Sequence, residues 1–192
     1  LTLVVVCILF AGFLRGFVGF GAALIIIMVL SVVFGPVVAV PVAVLSGVPS
    51  TLQLLPAAVR HAERSFVVPF AVASIAAAPV GAWILVTSDP SAIRILISLF
   101  VLSMVVLLQR GWRLSRQPGP GLMGGAGVVA GLIQGAAGVS GPLAVALALS
   151  RPGEPHRQRA NVIGTVTALT VCSVVPFIFL GLFTLEVIVI GL

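Results

Sequence analysis

Residues 11–30 read AGFLRGFVGFGAALIIIMVL, a stretch that is apolar enough for lipid yet contains four glycines and an arginine. Glycine is a poor helix former, and a charged side chain is costly at the centre of a bilayer. Irregular backbone at membrane depth is tolerated where protein buries it or where it lines a watery cavity. The stretch therefore predicts an interrupted helix beside a cavity.

The composition predicts a multi-pass membrane protein, because 60% of the 192 residues are hydrophobic, only 7% are charged, and the mean hydropathy is +1.33. The net charge is +6 and every basic residue is arginine, in short loops where a topology signal is a better interpretation than nucleic-acid binding. Apolar segments long enough to span a bilayer are predicted at about 37–59, 66–87, 92–109 and 160–181.

No metal or other cofactor is indicated. Cys7 and Cys172 lie in apolar segments without metal-ligand spacing, so we interpret them as small buried hydrophobes. His61 and His156 lie in arginine-containing loops, where solvated side chains are expected.

The opening stretch has a second copy, AGLIQGAAGVSGPLAVALAL, at residues 130–149, an offset of 119 residues. The matching pairs are Ala11 with Ala130, Gly12 with Gly131, Gly16 with Gly135, Gly19 with Gly138, Leu24 with Leu143, Ser31 with Ser150, and Pro36 with Pro155. We therefore predict two repeats, 1–119 and 120–192. A complete second copy would need about 46 further residues, so the second repeat is expected to be truncated.

The repeated element is too long for a straight span, since residues 1–30 as one helix would measure about 45 Å. Two hairpins, 1–31 and 120–150, fit better, each with arms of about 14 residues that dip halfway into the bilayer. The turns are predicted at Arg15–Gly16 and Gln134–Gly135, where glycine permits tight backbone geometry.

Charge counting favours the hairpins over plain spans. With plain spans the loop arginines divide five against four between the two sides, which is almost no bias. With hairpins, eight share one side and only Arg94 is opposite, a strong positive-inside pattern.

The fold prediction follows from this topology. Each repeat is one re-entrant helical hairpin plus three transmembrane helices, so the second repeat is inverted relative to the first. In the truncated copy these are the hairpin 120–150, the span 160–181 and the start of the next span at 184–192. The predicted class is an all-α polytopic membrane protein whose two hairpin tips meet near the midplane, a design that recurs in secondary transporters.

The predicted site is an anion site between the hairpin tips. A guanidinium offers five donors in a planar fork, and a helix that starts after a turn adds backbone N–H groups and a partial positive charge. The candidate residues are Arg15, Gly16, Gly19 and Gly21 from the first hairpin, and Gln134, Gly135, Gly138, Ser140, Gly141 and Asn161 from the second repeat.

Structural explanations compete with this hypothesis. The glycines could serve only close helix packing, and Gln134 and Ser140 could serve only interhelical hydrogen bonds. The Arg15 side chain could extend to the membrane interface instead of a cavity. Asn161 is a weaker candidate that opens a span beside the second hairpin.

GFLRGFVGFGAAL followed by GLIQGAAGVSGPLA resembles the duplicated signature of the sulfite exporter (TauE/SafE) family, and residues 61–85 resemble that family's third span. The resemblance implies a bacterial inner-membrane protein that moves sulfite, sulfonates or related sulfur-containing or organic anions. Ala22 and Ala23 stand where a glycine run is common in the family, which leaves the substrate open.

The functional prediction is a secondary transporter, not an enzyme, that exports small anions by alternating access. Its expected partners are a small anionic substrate and the lipid bilayer, with no nucleic acid, and its oligomeric state is open. The alternatives are a passive anion channel and an intramembrane serine hydrolase that uses Ser140 of the Gly138–Gly141 quartet.

Overall fold

The computed structural model describes residues 22–110, 119–149 and 154–191, and all regular secondary structure within these ranges is helical. The all-α prediction is therefore confirmed. The eight described helices are α1 Ala22–Val33, α2 Pro36–His61, α3 Arg64–Thr87, α4 Pro90–Gln109, α5 Pro120–Ala137, α6 Gly141–Leu149, α7 Pro155–Phe179 and α8 Leu185–Gly191.

Several of these helices are long and apolar enough to cross a membrane. Helices α3, α4, α5 and α7 each meet that requirement, and α2 is a fifth if its two halves count as one span. Those halves, Pro36–Pro49 and Thr51–His61, meet at a bend of 50°. Proline explains a bend here, because Pro49 lacks the N–H that would continue the helical hydrogen bonds.

Helices occupy the four ranges in which spans were predicted, but α7 begins at Pro155 rather than near residue 160. Pro155 suits the first helical position, where an N–H has no helical partner to lose. The polar residues that follow it, including Arg157 and Arg159, are exposed on the first turns of α7, so an apolarity criterion alone places the start too late.

Helices α3 and α5 run parallel and touch backbone to backbone. A Cβ atom on Gly127 would lie 2.5 Å from the carbonyl oxygen of Phe70, and one on Gly131 would lie 2.4 Å from that of Ser74. From α3, a Cβ on Gly81 would lie 2.2 Å from the carbonyl oxygen of Leu132. We call this contact, made by Gly81, Gly127 and Gly131, the glycine seam. Residue numbers rise in the same direction along both helices, so the two helices start at the same end of the bundle.

Helix α7 also starts at that end, because the side-chain oxygen of Asn161 accepts the N–H of Glu63 at 2.8 Å. Further along, Gly164 of α7 packs on Val67 of α3. We call this the basic end, where α2 stops and α3, α5 and α7 begin. Among the described residues it includes Arg60, Arg64, Arg157 and Arg159.

Helix α5 starts at the basic end, and α7 starts at the same end. Helix α5 is about 27 Å long and stops at Ala137, and α6 follows after a three-residue break. Only residues 150–154 join α6 to the start of α7 at the basic end, a length of chain that spans at most about 20 Å. Helix α6 therefore heads back toward the end from which α5 came.

The turn predicted at Gln134–Gly135 is wrong, because α5 continues through both residues to Ala137. Gly135 packs within the seam, where a Cβ would lie 2.3 Å from the carbonyl oxygen of Ala78. The break falls at Gly138 instead, three residues beyond the predicted turn.

Helix α1 runs from the break toward the opposite end of the bundle. Ile27 of α1 lies against Gly138, and α1 ends near Gly35, whose φ of 83° turns the chain into α2. At that end the Arg94 side chain donates from Nε to the Ser31 carbonyl at 3.1 Å. The guanidinium thus caps the C-terminal turn of α1, where a cation is favoured.

Candidate substrate cavity at the helix break

The break between α5 and α6 is built on Gly138. Its φ of 69° lies in the left-handed region, and its N–H bonds the carbonyl of Gln134 at 2.9 Å, which ends α5. A Cβ at this position would also lie 2.8 Å from Cδ1 of Ile27. Glycine is thus needed here both for the backbone conformation and for the approach of α1.

Ser140 holds the side chain of Gln134 in place. Its hydroxyl donates to Gln134 Oε1 at 2.7 Å, and its N–H donates to the same oxygen at 3.3 Å. Gln134 is 7% exposed and Ser140 is fully buried. Because Oε1 is occupied, the Nε2 amino group is the end of Gln134 that remains to donate to a ligand.

A cavity of about 70 Å³ adjoins the break, a volume several times what one water molecule needs. It lies roughly midway along α7, and residues of five helices line it. The described lining residues are Ala23 and Leu24 of α1, Ala43, Val44 and Gly47 of α2, Gln134 of α5, Gly138 and Val139 of the break, Gly141 and Pro142 of α6, and Val166, Leu169 and Thr170 of α7.

The polar side chains in this lining are Gln134 and Thr170, and the described lining residues include no charged side chain. Thr170 Oγ1 accepts a hydrogen bond from Thr51 Oγ1 at 3.3 Å and donates to the carbonyl of Val166 at 3.2 Å. The single hydroxyl hydrogen of Thr51 is shared between Thr170 Oγ1 and the carbonyl of Gly47, whose oxygen lies 2.8 Å from Thr51 Oγ1. These bonds join α2 to α7 beside the cavity.

The backbone around the break offers both kinds of hydrogen-bonding group. The start of α6 carries a partial positive charge, whereas the end of α5 carries a partial negative one. Within the described chain, the N–H groups of Val139 and Gly141 have no hydrogen-bond partner. Gln134, Val139 and Gly141 all line the cavity, so these neutral donors belong to its wall.

The sequence-predicted site residues fall into three groups. Gln134, Gly138 and Gly141 line the cavity, and Ser140 lies behind Gln134. Gly135 instead packs in the seam, and Asn161 lies at the basic end, where it bonds Glu63 and does not line the cavity. The remaining four, Arg15, Gly16, Gly19 and Gly21, lie outside the described residues.

Thr170 and Gly47 are cavity residues that the sequence analysis missed. A signal for Thr170 was available, because Thr51 and Thr170 are separated by 119 residues, the offset that relates the two glycine-rich copies. Two matched threonines in two apolar segments indicate a shared position in the fold.

The exposed positions of His61 and His156 agree with the expectation for these residues, and Cys172 is buried as expected. The serine-hydrolase alternative finds no support in this geometry. Ser140 gives its hydroxyl hydrogen to an amide oxygen, whereas both histidines lie at the basic end. A serine nucleophile needs a base within hydrogen-bond reach.

Apolar helices of spanning length, interrupted at a cavity inside the bundle, define a polytopic membrane protein of the kind that includes transporters. The comparison with known families agrees, because the family described as sulfite exporter TauE/SafE matches residues 4–192. The chain belongs to this family of membrane transporters of sulfur anions. No curated protein and no solved structure matches it significantly.

Proposed function

We propose that the protein is a secondary transporter that exports a small sulfur oxyanion, such as sulfite or a small sulfonate, which binds in the cavity at the break. The observation that carries the proposal is the convergence of donors there. Gln134 can only donate, because Ser140 occupies its oxygen, and backbone N–H groups at the start of α6 lie beside it. An oxyanion offers several acceptors to such a set.

Arg15 supplies the charge in this proposal. It stands at the repeat position that corresponds to Gln134, since 134 minus 15 is 119. Helix α1, which follows the Arg15 segment in the sequence, lines the cavity through Ala23 and Leu24. A guanidinium at the tip of the first hairpin would face the amide at the second, and a charged donor binds an oxyanion more strongly than a neutral one.

The inverted repeat is part of the proposal, and two comparisons support it. The repeat pairs α1 with α6 and α2 with α7, and α2 and α7 start at Pro36 and Pro155, which are 119 residues apart. The members of each pair run in opposite directions, because α1 and α6 leave the cavity toward opposite ends. Inverted repeats of this kind underlie alternating access in several transporter folds.

The contact between Thr51 and Thr170 gives this mechanism a pivot. Both threonines hold the same repeat position, and their hydroxyl groups meet where α2 crosses α7. Equivalent residues of two inverted repeats touch only near the axis that relates them. Rocking about this point would move the two ends of the bundle in opposite senses while the cavity stays in place.

Export would draw on the membrane potential, which is worth about 2.3 kcal/mol per charge per 100 mV. The basic end would face the cytoplasm of a bacterial inner membrane by the positive-inside rule. The described lining of the cavity contains no carboxylate, so we propose no proton relay through an acidic side chain there.

Flux of radiolabelled sulfite in proteoliposomes of the full chain tests the proposal. Wild-type flux is expected to saturate with substrate concentration, and Arg15→Ala is expected to abolish it, whereas Arg15→Lys retains part of it because the charge remains. Arg110→Ala serves as the control, since it removes an exposed arginine just after α4. Undiminished flux from Arg15→Ala would reject the site, and flux that never saturates would indicate a channel.

A further inference from the structure

A second concave surface lies at the basic end, between the end of α2 and the start of α7. This cleft has a volume of about 350 Å³ and shares no lining residue with the central cavity. Its walls are two helical stripes. Leu54 and His61 lie two turns apart on α2, and His156, Arg159, Ala160 and Ile163 recur at the three- and four-residue spacing of one face of α7.

The cleft changes from basic to apolar with depth. His61, His156 and Arg159 lie toward the helix ends, at the mouth. Leu54 and Ile163 each lie seven residues deeper on their helices, or about 10 Å. Because α2 and α7 run antiparallel, both helices place their apolar residue on the same, inner side of the cleft.

The net charge of the side chains around the mouth is positive. The carboxylate of Glu154 lies 3.3 Å from Nδ1 of His156, but both side chains are more than 60% exposed, so this pair is weak. Arg159 is exposed, and Arg157 and Arg60 carry further positive charge on the adjoining turns of α7 and α2.

We propose that this cleft binds an anionic phospholipid from the leaflet at the basic end, with the headgroup phosphate on Arg159, His61 and His156 and the glycerol and first acyl carbons on Leu54 and Ile163. A guanidinium binds a phosphate through two parallel hydrogen bonds, and the imidazoles add donors. Basic pockets between transmembrane helices on the cytoplasmic side are suited to such headgroups. The proposal does not depend on the transported substrate.

The apolar depth distinguishes a lipid from a free phosphate ion. Inorganic phosphate would use the mouth and leave about 10 Å of apolar wall without a ligand, whereas a phospholipid occupies both parts. Removal of the apolar wall should therefore weaken lipid binding, although the basic residues remain.

Native mass spectrometry of the full chain in detergent tests the site with phosphatidylglycerol, phosphatidylcholine and inorganic phosphate as probes. We expect phosphatidylglycerol to bind more tightly than phosphatidylcholine. Arg159→Ala should weaken that preference about fivefold, because an arginine near the membrane surface contributes roughly 1 kcal/mol to the binding of anionic lipid. The triple variant His61→Ala, His156→Ala, Arg159→Ala should remove the preference. Leu54→Asn with Ile163→Asn should weaken the binding of phosphatidylglycerol itself, because it removes the apolar wall.

Arg110→Ala is the matched control, because it removes one exposed arginine just after α4 and outside the cleft. The proposal is overturned if phosphatidylglycerol binds no better than phosphatidylcholine. It is also overturned if Arg110→Ala weakens binding as much as Arg159→Ala, which would indicate general attraction to charge. Competition by inorganic phosphate at the concentration of the lipid would show that the apolar wall is not used.

Discussion

Two sets of glycines in residues 119–141 look alike in sequence and act differently in the structure. Gly127, Gly131 and Gly135 have ordinary helical backbone and lie against the backbone of α3. Gly138 is left-handed and ends the helix, and Gly141 starts the next one with open space around its α-carbon. The first set holds the scaffold together, and the second creates the cavity.

The difference shows that glycine at membrane depth has two separate uses. In the seam, the missing side chain allows two helices to approach, which is how helices associate where lipid supplies no hydrophobic drive. At the break, it allows a conformation that other residues rarely adopt. Substitutions can separate these uses. A steric clash is relieved when the neighbouring side chain is shortened, whereas an unfavourable backbone conformation is not.

The largest expected loss of stability comes from a substitution in the glycine seam. Gly131→Ala places a Cβ 2.4 Å from the carbonyl oxygen of Ser74, and backbone cannot move aside as a flexible side chain can. We expect a loss of about 3 kcal/mol or more, at the upper end for overpacked cores. The midpoint of unfolding in an SDS titration measures it.

Gly124 and Gly125 provide the control in the same helix, because a Cβ on either would meet nothing within 4 Å. Gly124→Ala is expected to leave stability unchanged or raise it by up to about 1 kcal/mol, since alanine favours helix. Equal destabilisation by Gly124→Ala and Gly131→Ala would contradict the existence of a specific seam.

At the break, Gly138→Ala is expected to cost about 2 kcal/mol, from the left-handed backbone and the approach to Ile27. Gly181→Ala isolates the first cause, because Gly181 has a similar φ of 66° and open space around it. Ile27→Val removes the Cδ1 atom and should partly restore Gly138→Ala. Absence of any rescue would mean that Ile27 does not limit the space at the break.

A smaller effect is expected from Ser140→Ala, which leaves Gln134 Oε1 with only the weaker N–H bond. The amide is then free to rotate, so the KM for sulfite flux should rise about five- to tenfold while the maximal rate changes little, as for one lost hydrogen bond. Gln134→Glu keeps the shape but turns a donor into a negative charge, and it should abolish flux. Unchanged KM in Ser140→Ala would show that Ser140 does not position the amide.

The smallest expected effect concerns the threonine contact between α2 and α7. Thr51→Val and Thr170→Val remove one hydroxyl each from a bond of 3.3 Å. In a double-mutant cycle the coupling energy should be about 0.5–1 kcal/mol, as for a weak neutral hydrogen bond. The same cycle on flux rates tests the pivot, and fully additive effects on flux would argue against it.

Helix content, the positions of most helices and a glycine-dependent break were predictable from the sequence, because apolar runs of spanning length and clustered glycines carry these features directly. The break itself was misplaced by a few residues. Gly135 and Gly138 look equally suited to a turn, and only the neighbour α3 decides that Gly135 packs and Gly138 turns.

Asn161 and Thr170 show why the site could be predicted only in part. Both are polar residues on α7, Asn161 buried and Thr170 partly buried. Asn161 bonds the chain before α3, whereas Thr170 reaches the cavity. Which of the two lines the cavity depends on where α7 meets the break, and that is a tertiary relation. Ser140 was expected to offer its hydroxyl to a ligand and instead fixes the orientation of Gln134.

A crystal structure of the full chain grown with sulfite tests the central hypothesis most directly. We expect difference density for one anion in the cavity at the break, within about 3 Å of Gln134 Nε2 and beside the N–H of Gly141. Residues 120–154 should enter and leave the membrane on the same side. Density for the anion at a site away from the break, or a helix that continues unbroken past Gly138 to the opposite face, would contradict it.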